Sequence, residues 1–397
     1  MPTHSDDELL HRALYLAREG IGLASPNPCV GAVITDAQGN VVGTGTYTYA
    51  GVKHAEIFAL ETAGPKARGG TLYINLEPHG HHGRTPPCTD ALIAAGIRRV
   101  VASMPDPNPR VSGRGFEQLR AAGIQVEVGG LQDEARHLNE GFARYIRQGV
   151  PFVTLKSAMT LDGKIAPASG DGGKPAALIQ NVPHSSLQRN ITGEAARAHV
   201  HELRHENDAI LAGIGTILVD DPLLTDRSGH PRRRPLLRVI LDSHLRLPLE
   251  SRLVQSAGGA GQNDVIVFCS CADERAKNRL EQLGIRVEQV APTGADGRPD
   301  LRAVFQRLAK LEITSVMIEG GSTVNAAALA ANIVDKIFFY YAPRILGPQS
   351  IPFAKGAGFQ SAMLTKVQLR RFGDDLAIEG YLRDPYDDEP QQLAIGN

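Results

Sequence analysis

Apolar runs of strand length alternate with segments of helical periodicity along the whole chain, in two series separated at Gly149-Val150-Pro151. That alternation confines the chain to α/β folds, in which helices cover the faces of a sheet. In the first series, residues 6–19 (DDELLHRALYLARE) place Leu9, Leu10, Ala13, Leu14, Leu16 and Ala17 at helical spacing, with Ser5 and Asp6 as caps. A turn cluster, SPNP, precedes the strand CVGAVIT. Ala37-Gln38-Gly39-Asn40 then turns into a second strand, VVGTGT. His54 to Ala63 is expected as a helix, TLYINL as a strand, Cys88 to Ala95 as a helix and RRVVASM as a strand. The order β-β-α-β-α-β points to a three-layer α/β domain.

The second series opens with PFVTLKSAM as a strand, followed by ITGEAARAHVHELRHE as a helix with Thr192 as cap and Glu194 in its first turn. DAILAGIGTIL reads as strand and turn. LLRVILD, DVIVFCS, SVMIEGG and IFFYYAP read as strands, with helical stretches at 272–283 and 301–311. Strands alternating with helices imply a mainly parallel sheet, with crevices at the strand C-termini. The late aromatic strand Ile337 to Tyr341 suits either the core or an apolar interface. Expected domains are 1–148, 149–385 and a loose tail, 386–397.

At roughly 150 residues per domain, 397 residues fit two or three domains. The net charge of 42 − 43 = −1 leaves no polybasic footprint for phosphate neutralisation, and aromatics at 5% with no Trp disfavour base-stacking platforms. Nucleic acid is therefore not an expected partner. No apolar run approaches the ~18 residues of a membrane helix. The polar, acidic start carries no secretory pattern. Four cysteines, of which Cys269 and Cys271 form a C-x-C pair and Cys29 and Cys88 are isolated, make no disulfide framework and suit a cytoplasmic protein.

Residues 54–88 carry the chemistry. A catalytic zinc site needs three protein ligands and an open position for water. Nucleobase deaminases use a His/Cys/Cys set with a glutamate that shuttles protons without touching the metal. Here His54 suits the first ligand, Glu56 the proton shuttle and Cys88 a thiolate at a helix N-terminus. The third ligand falls on His79, giving a His/His/Cys set with one thiolate. Each piece alone has a bland reading: H-x-E on a helix recurs by chance, a lone Cys is most often a small buried hydrophobe, and His81 and His82 are ordinary loop histidines. Their occurrence together, between a strand and a helix, favours zinc over a site that has lost its metal.

SPNPCVGAVI (25–34), HAE (54–56), LEPHGHHGRTPPCTDALI (76–93) and DPNPRVSGRG (106–115) resemble the deaminase half of the bifunctional riboflavin biosynthesis family. LKSAMTLDGKIA (155–166), ITGEAAR (191–197), DAILAGIGTILVDDPLLTDR (208–227), EGGSTVNAAAL (319–329) and APRILG (342–347) resemble its reductase half. That family joins a diaminohydroxyphosphoribosylaminopyrimidine deaminase to a 5-amino-6-(5-phosphoribosylamino)uracil reductase. The resemblance implies a cytidine-deaminase-like α/β/α domain followed by a dihydrofolate-reductase-like α/β domain. It implies Zn²⁺ and NADPH as cofactors, a phosphoribosylaminopyrimidine substrate, and a homodimer or tetramer assembled through the reductase half. Carried over, His54 and Cys88 match zinc ligands and Glu56 the catalytic glutamate. Asn27, His81, Arg84 and Asn108 match residues that hold the pyrimidine or its ribose phosphate. Lys156, Arg204, Leu224, Arg227 and Glu319 match substrate positions. Ala158, Asn190, Thr216, Asp220 and the stretch Gly321, Ser322, Thr323, Val324, Asn325 match NADPH contacts. The residue types agree: Arg84, Arg204 and Arg227 suit bidentate phosphate recognition, and the Gly-rich turn after SVMI suits a cofactor phosphate. Asp220 and Glu319 are expected to orient or protonate the substrate.

Three departures stand out. His79 replaces the family's cysteine, with Gly80 beside it in place of serine. Tyr47 stands where a histidine is usual. The stretch from Gly172 to Asn190 is longer than usual, Asn190 replaces a tryptophan, and this loop is expected over the nicotinamide or the substrate. His79 is then either a ligand exchange that keeps deamination or the mark of a reductase carrying a degenerate deaminase domain. A nucleic-acid deaminase, a non-catalytic scaffold and a reductase for a different pyrimidine or pteridine are the other readings.

Overall fold

A computed structural model describes residues 4–81, 86–167, 190–257, 263–294, 296–356, 358 and 361–387. The chain divides into two compact units: Met1–Gly149 with His230–Arg234, and Val150–Gly229 with Pro235–Asn397.

The first unit runs α1 (Asp6–Arg18), β1 (Gly31–Thr35), β2 (Val41–Thr46), α2 (Ala55–Ala63), β3 (Thr71–Ile74), α3 (Cys88–Ala95), β4 (Arg99–Ala102), α4 (Arg114–Ala121), β5 (Gln125–Val128), α5 (Gln132–Leu138) and α6 (Glu140–Gln148). Ser5 caps α1 as expected. Its hydroxyl accepts from Glu8 N at 3.2 Å, and the Glu8 carboxylate accepts from Ser5 N at 2.9 Å. The sheet order is β2-β1-β3-β4-β5, with β1 antiparallel to β2 and β3 and the rest parallel. Period-two alternation sorts the side chains. Ala32, Ile34, Leu72, Ile74, Val100 and Ala102 pack with α2, α3 and α4, whereas Val33, Tyr73 and Val101 pack with α1. The three layers are those expected. Helix α2 begins at Ala55, one residue later than expected, because His54 is extended and serves as its N-cap.

Two glycines of β2 let α2 lie directly on the sheet. A Cβ on Gly43 would come within 2.1 Å of Ala59 O, and one on Gly45 within 2.1 Å of Ala55 O. This close seating fixes the N-terminus of α2, which carries His54 and Glu56.

The second unit begins with β6 (Phe152–Thr160), β7 (Lys164–Ala166), α7 (Glu194–Glu206), β8 (Ala209–Gly213), α8 (Ile214–Asp220), β9 (Leu237–Leu241), α9 (Arg252–Gln255), β10 (Val265–Cys269) and α10 (Glu274–Gln282). It continues with β11 (Arg286–Gln289), β12 (Pro292–Thr293), β13 (Arg298–Pro299), α11 (Leu301–Lys310), β14 (Ser315–Ile318), α12 (Ser322–Ala330), β15 (Lys336–Ala342), β16 (Ile351–Pro352), β17 (Thr365–Phe372) and β18 (Asp375–Tyr381). The main sheet has the order β11-β10-β9-β8-β14-β6-β15-β18-β17. It is parallel from β11 through β15, as expected. The hairpin β17–β18 then adds two antiparallel strands that the sequence reading lacks. Ile210 and Ala212 face the core under α7 and α8, while Ala209 and Leu211 face the core under α11 and α12. Each fully buried Val, Leu or Ile contributes about 1.5–3 kcal/mol.

Three further expectations change. Helix α7 is capped by Gly193, without a side-chain bond, rather than by Thr192. The segment after β8 is the helix α8 rather than a turn. Ile337, Phe338 and Tyr340 are buried, so the aromatic strand is core. The tail from 388 onward and the stretch 168–189, which includes most of the lengthened loop, lie outside the described residues.

Candidate active sites

In the first unit, the N-terminus of α2, the segment after β3 and the N-terminus of α3 converge. Ligand atoms of His54, Glu56, His79 and Cys88 all lie within 4.8 Å of one another. Cys88 Sγ is 3.4 Å from His54 Nδ1, and the His54 and His79 rings are 4.4 Å apart at their centroids. Zinc bonds of ~2.0–2.3 Å set tetrahedral ligand atoms roughly 3.3–3.8 Å apart, so this spacing fits. Two imidazoles and one thiol form a recognised zinc donor set. Cys88 and Glu56 are both buried. Burial first, and the Glu56 carboxylate second, push the Cys88 thiol far up. A divalent cation would relieve this juxtaposition. The backbone locks the ligands together, since Cys88 N donates to His79 O at 3.0 Å.

His54, Glu56 and His79 line a cavity of about 290 Å³ together with Asn27, Tyr47, His81 and Asn108. That volume suits one small heteroaromatic ring. Arg84 and His82 lie outside the described residues. Two lining residues, Glu77 and Asp106, are absent from the sequence reading. The buried Glu77 carboxylate accepts from the backbone N–H groups of Asp106 at 3.0 Å and of Gly113 and Gly115 at 2.8 Å each. It thereby ties the segment after β3 to the Asn108 loop. Burial pushes Asp106 up to about 6, against the bond from Asn108 N–H and with help from the Glu77 charge. The signal was present: both follow strand C-termini, where ligand-facing groups concentrate. The Asn27 loop is held by two buried amides. Asn75 Nδ2 donates to Cys29 O at 2.9 Å, and Asn139 Oδ1 accepts from Cys29 N at 2.8 Å.

In the second unit, a cavity of about 690 Å³ opens at the C-terminal ends of the parallel strands. Lys156, Ala158, Thr216, Asp220, Glu319, Gly321, Ser322, Thr323 and Val324 line it, as do Ser243 and Arg246, which the sequence reading missed although they follow the strand LLRVILD. Arg204 binds Glu319 bidentately, Nε to Oε1 at 2.7 Å and Nη2 to Oε2 at 3.1 Å, and Lys156 Nζ lies 3.5 Å away. Burial would raise the Glu319 carboxyl, but the Lys156 and Arg204 cations outweigh it and hold the group down near 2. Glu319 is therefore ionised at neutral pH. It orients these cations.

Arg204 also donates to Thr225 O at 2.9 Å, anchoring the segment with Leu224 and Arg227. Leu224 is buried with φ 54°. Arg227 donates to Thr225 Oγ1 at 3.3 Å. Asn190 is exposed, and its carbonyl accepts from Arg344 Nη1 at 3.1 Å. Asn325 is fully buried beneath the cavity wall and donates to Phe353 O at 2.9 Å.

This cavity fits a dinucleotide. Gly321 caps α12, whose first N–H groups form an anion-binding end. Ser322 Oγ and Asn325 Oδ1 are buried without a hydrogen-bond partner among the described residues. A Cβ on Gly215 or Gly321, both lining residues, would meet nothing closer than 4.0 Å and would stand in the space itself.

Residues 151–378 match the family model "RibD C-terminal domain", and residues 3–104 match "Cytidine and deoxycytidylate deaminase zinc-binding region". The riboflavin biosynthesis protein RibD of Aquifex aeolicus is 38% identical over 94% of this chain and 97% of its own length. The chain belongs to the RibD family. The Escherichia coli RibD is 39% identical over 86% of this chain and 89% of its own length. Among solved structures, Acinetobacter baumannii RibD superposes with a TM-score of 0.78 at 34% identity, covering 95% of this chain and 98% of that one. A Thermotoga maritima diaminohydroxyphosphoribosylaminopyrimidine deaminase/5-amino-6-(5-phosphoribosylamino)uracil reductase superposes at 0.75, with 34% identity and the same coverage. As a RibD member the chain is a bifunctional riboflavin biosynthesis enzyme acting on a small molecule, with a zinc-dependent deaminase domain and an NADPH-dependent reductase domain. The reading as a reductase with a degenerate deaminase domain is not favoured, because the ligand group converges.

Proposed function

We propose that the chain hydrolytically deaminates 2,5-diamino-6-(5-phosphoribosylamino)pyrimidin-4-one on residues 1–148 and reduces the ribosyl group of the product to ribityl on residues 149–385. The observation that carries this reading is the convergence of His54, Glu56, His79 and Cys88 within 4.8 Å, with the first three on the wall of a ring-sized cavity. His54, His79 and Cys88 would hold zinc, with Glu56 left as proton carrier. Bound zinc supplies Lewis acidity that makes a water a nucleophile near neutral pH. Glu56 takes one proton of the attacking water and delivers it to the departing amino group, which leaves as ammonia, while the water oxygen stays on the ring carbon as the carbonyl and its other hydrogen ends on the adjacent ring nitrogen. Asn27, His81, Arg84 and Asn108 hold the ring and its ribose phosphate.

In the reductase, NADPH supplies the hydride. Ala158, Asn190, Thr216, Asp220 and Gly321 through Asn325 would hold the cofactor. Glu319 fixes Lys156 and Arg204 as a paired cation, and with Leu224 and Arg227 these form the substrate side. Exposed Val367 and Leu369 on the edge strand β17, with Leu376 on β18, support a homodimer or tetramer built through this half. No helix among the described residues is long and apolar enough to cross a membrane. The four free cysteines support a cytoplasmic location.

The test is a two-stage assay on the full chain. Ammonia release should precede NADPH oxidation when the pyrimidinone is supplied. Glu56→Gln should stop the first stage yet still oxidise NADPH when given the deaminated substrate. Unchanged ammonia release in that variant would sink the proposal.

A further inference from the structure

Tyr47 stands on the wall of the cavity in the first unit. It is buried at 6% exposure, and its ring meets the His54 ring edge-on, with centroids 5.5 Å apart and planes at 84°. Its hydroxyl accepts a hydrogen bond from Asn27 Nδ2 at 2.5 Å. Both side chains line the cavity that holds His54 and Glu56. Asn27 is also fixed through its backbone, whose N–H donates to Ala24 O at 3.1 Å.

The hydrogen-bond inventory of the pair is informative. A carboxamide offers one oxygen acceptor and two N–H donors, and a phenol offers one donor. One Asn27 N–H is committed to Tyr47. Among the described residues, neither Asn27 Oδ1 nor the Tyr47 hydroxyl hydrogen has a partner. The cavity wall therefore presents an acceptor and a donor side by side, locked together by the Asn27–Tyr47 bond. Their complement is an adjacent N–H and C=O, the lactam edge of a pyrimidin-4-one. A histidine at position 47 would offer a ring nitrogen in place of this hydroxyl.

We propose that Tyr47 is a specificity-determining residue of the deaminase site, acting with Asn27 to read the lactam edge of the substrate ring. The inference rests on the deaminase reading above. It predicts a KM effect, because the pair binds a ring edge that does not react, whereas Glu56 governs kcat.

Ammonia release by the zinc-loaded full chain is measured with the pyrimidinone substrate for wild type, Tyr47→Phe, Asn27→Ala and the double variant, alongside zinc content and the thermal midpoint. Tyr47→Phe keeps the ring against His54 and removes only the hydroxyl. Its KM should rise roughly tenfold, the size of one lost hydrogen bond, with kcat within about threefold of wild type. The double variant should be no worse than the poorer single one, since the two residues act as a unit. A Tyr47→Phe KM within about twofold of wild type, or effects that multiply, would overturn the inference and leave the deaminase reading standing. A wild-type chain that carries zinc yet releases no ammonia would overturn that reading, and the inference with it. If Tyr47→Phe loses zinc or thermal stability, Asn27→Ala, which leaves the phenol in place, decides by the same KM criterion.

Discussion

Two buried carboxylates divide the chemistry by what surrounds them. Glu319 lies between Lys156 and Arg204, which keep it ionised, so it is a fixed anion that aligns cations. Glu56 lies beside the thiol of Cys88 and the imidazole of His54, at the edge of the proposed metal site. Replacing Glu56 by Gln should cost ammonia release about 10²–10⁴-fold, the usual share of a general acid–base group, with zinc content unchanged. Asp106 gives a pH-dependent prediction. Its folded value of about 6 lies above the ordinary 3.8. The folded state thus holds the proton more tightly, and stability from this group is full below about 4 and lost as pH rises through 6. Asp106→Asn keeps an acceptor for the Asn108 N–H and removes the buried charge. Thermal unfolding should show it stabilised by on the order of 1–3 kcal/mol at pH 8, with the gain shrinking toward pH 4.5. A gain independent of pH would contradict the buried-charge account.

At the scale of elements, the sites depend on how helices are seated. Gly45 lets the first turn of α2 touch β2, because a Cβ there would lie 2.1 Å from Ala55 O. Gly45→Ala should push α2 outward and misplace His54 and Glu56. The expected outcome is lower zinc occupancy and ammonia release at an unchanged rate of NADPH oxidation. On β9, Arg238 is almost fully buried, with Nη2 on Asp264 at 2.7 Å. Asp264→Ala leaves that guanidinium without its counter-charge and should cost about 3–5 kcal/mol in denaturant unfolding. Much of this level was legible in the sequence. The helix capped by Ser5, the strand VVGTGT and the alternating second series all follow from periodicity and turn chemistry. The hairpin β17–β18 was not legible, because β17 is largely exposed and its TKVQLRRF pattern lacks a clean apolar face. The Gly193 cap was missed because a glycine cap leaves no side-chain signature, and Thr192 drew the assignment.

For the whole molecule, two chemistries on one chain should be separable by their cofactors. Chelating zinc should abolish ammonia release while leaving NADPH oxidation with the deaminated substrate intact. That His54, Glu56 and Cys88 come together was legible in the sequence, because zinc chemistry asks for those residue types around a strand and two helix starts, and the fold does gather them. Glu77 was not, because its role lies in three backbone bonds that only the folded loops create. The central claim is that His79 serves as the third ligand of a working zinc site. The most direct measurement is zinc per chain by elemental analysis of protein purified without chelator, for wild type, His79→Ala and His79→Cys. The account predicts about one zinc in wild type, loss in His79→Ala and retention in His79→Cys. Full zinc in His79→Ala, or none in wild type that still binds NADPH, would contradict it.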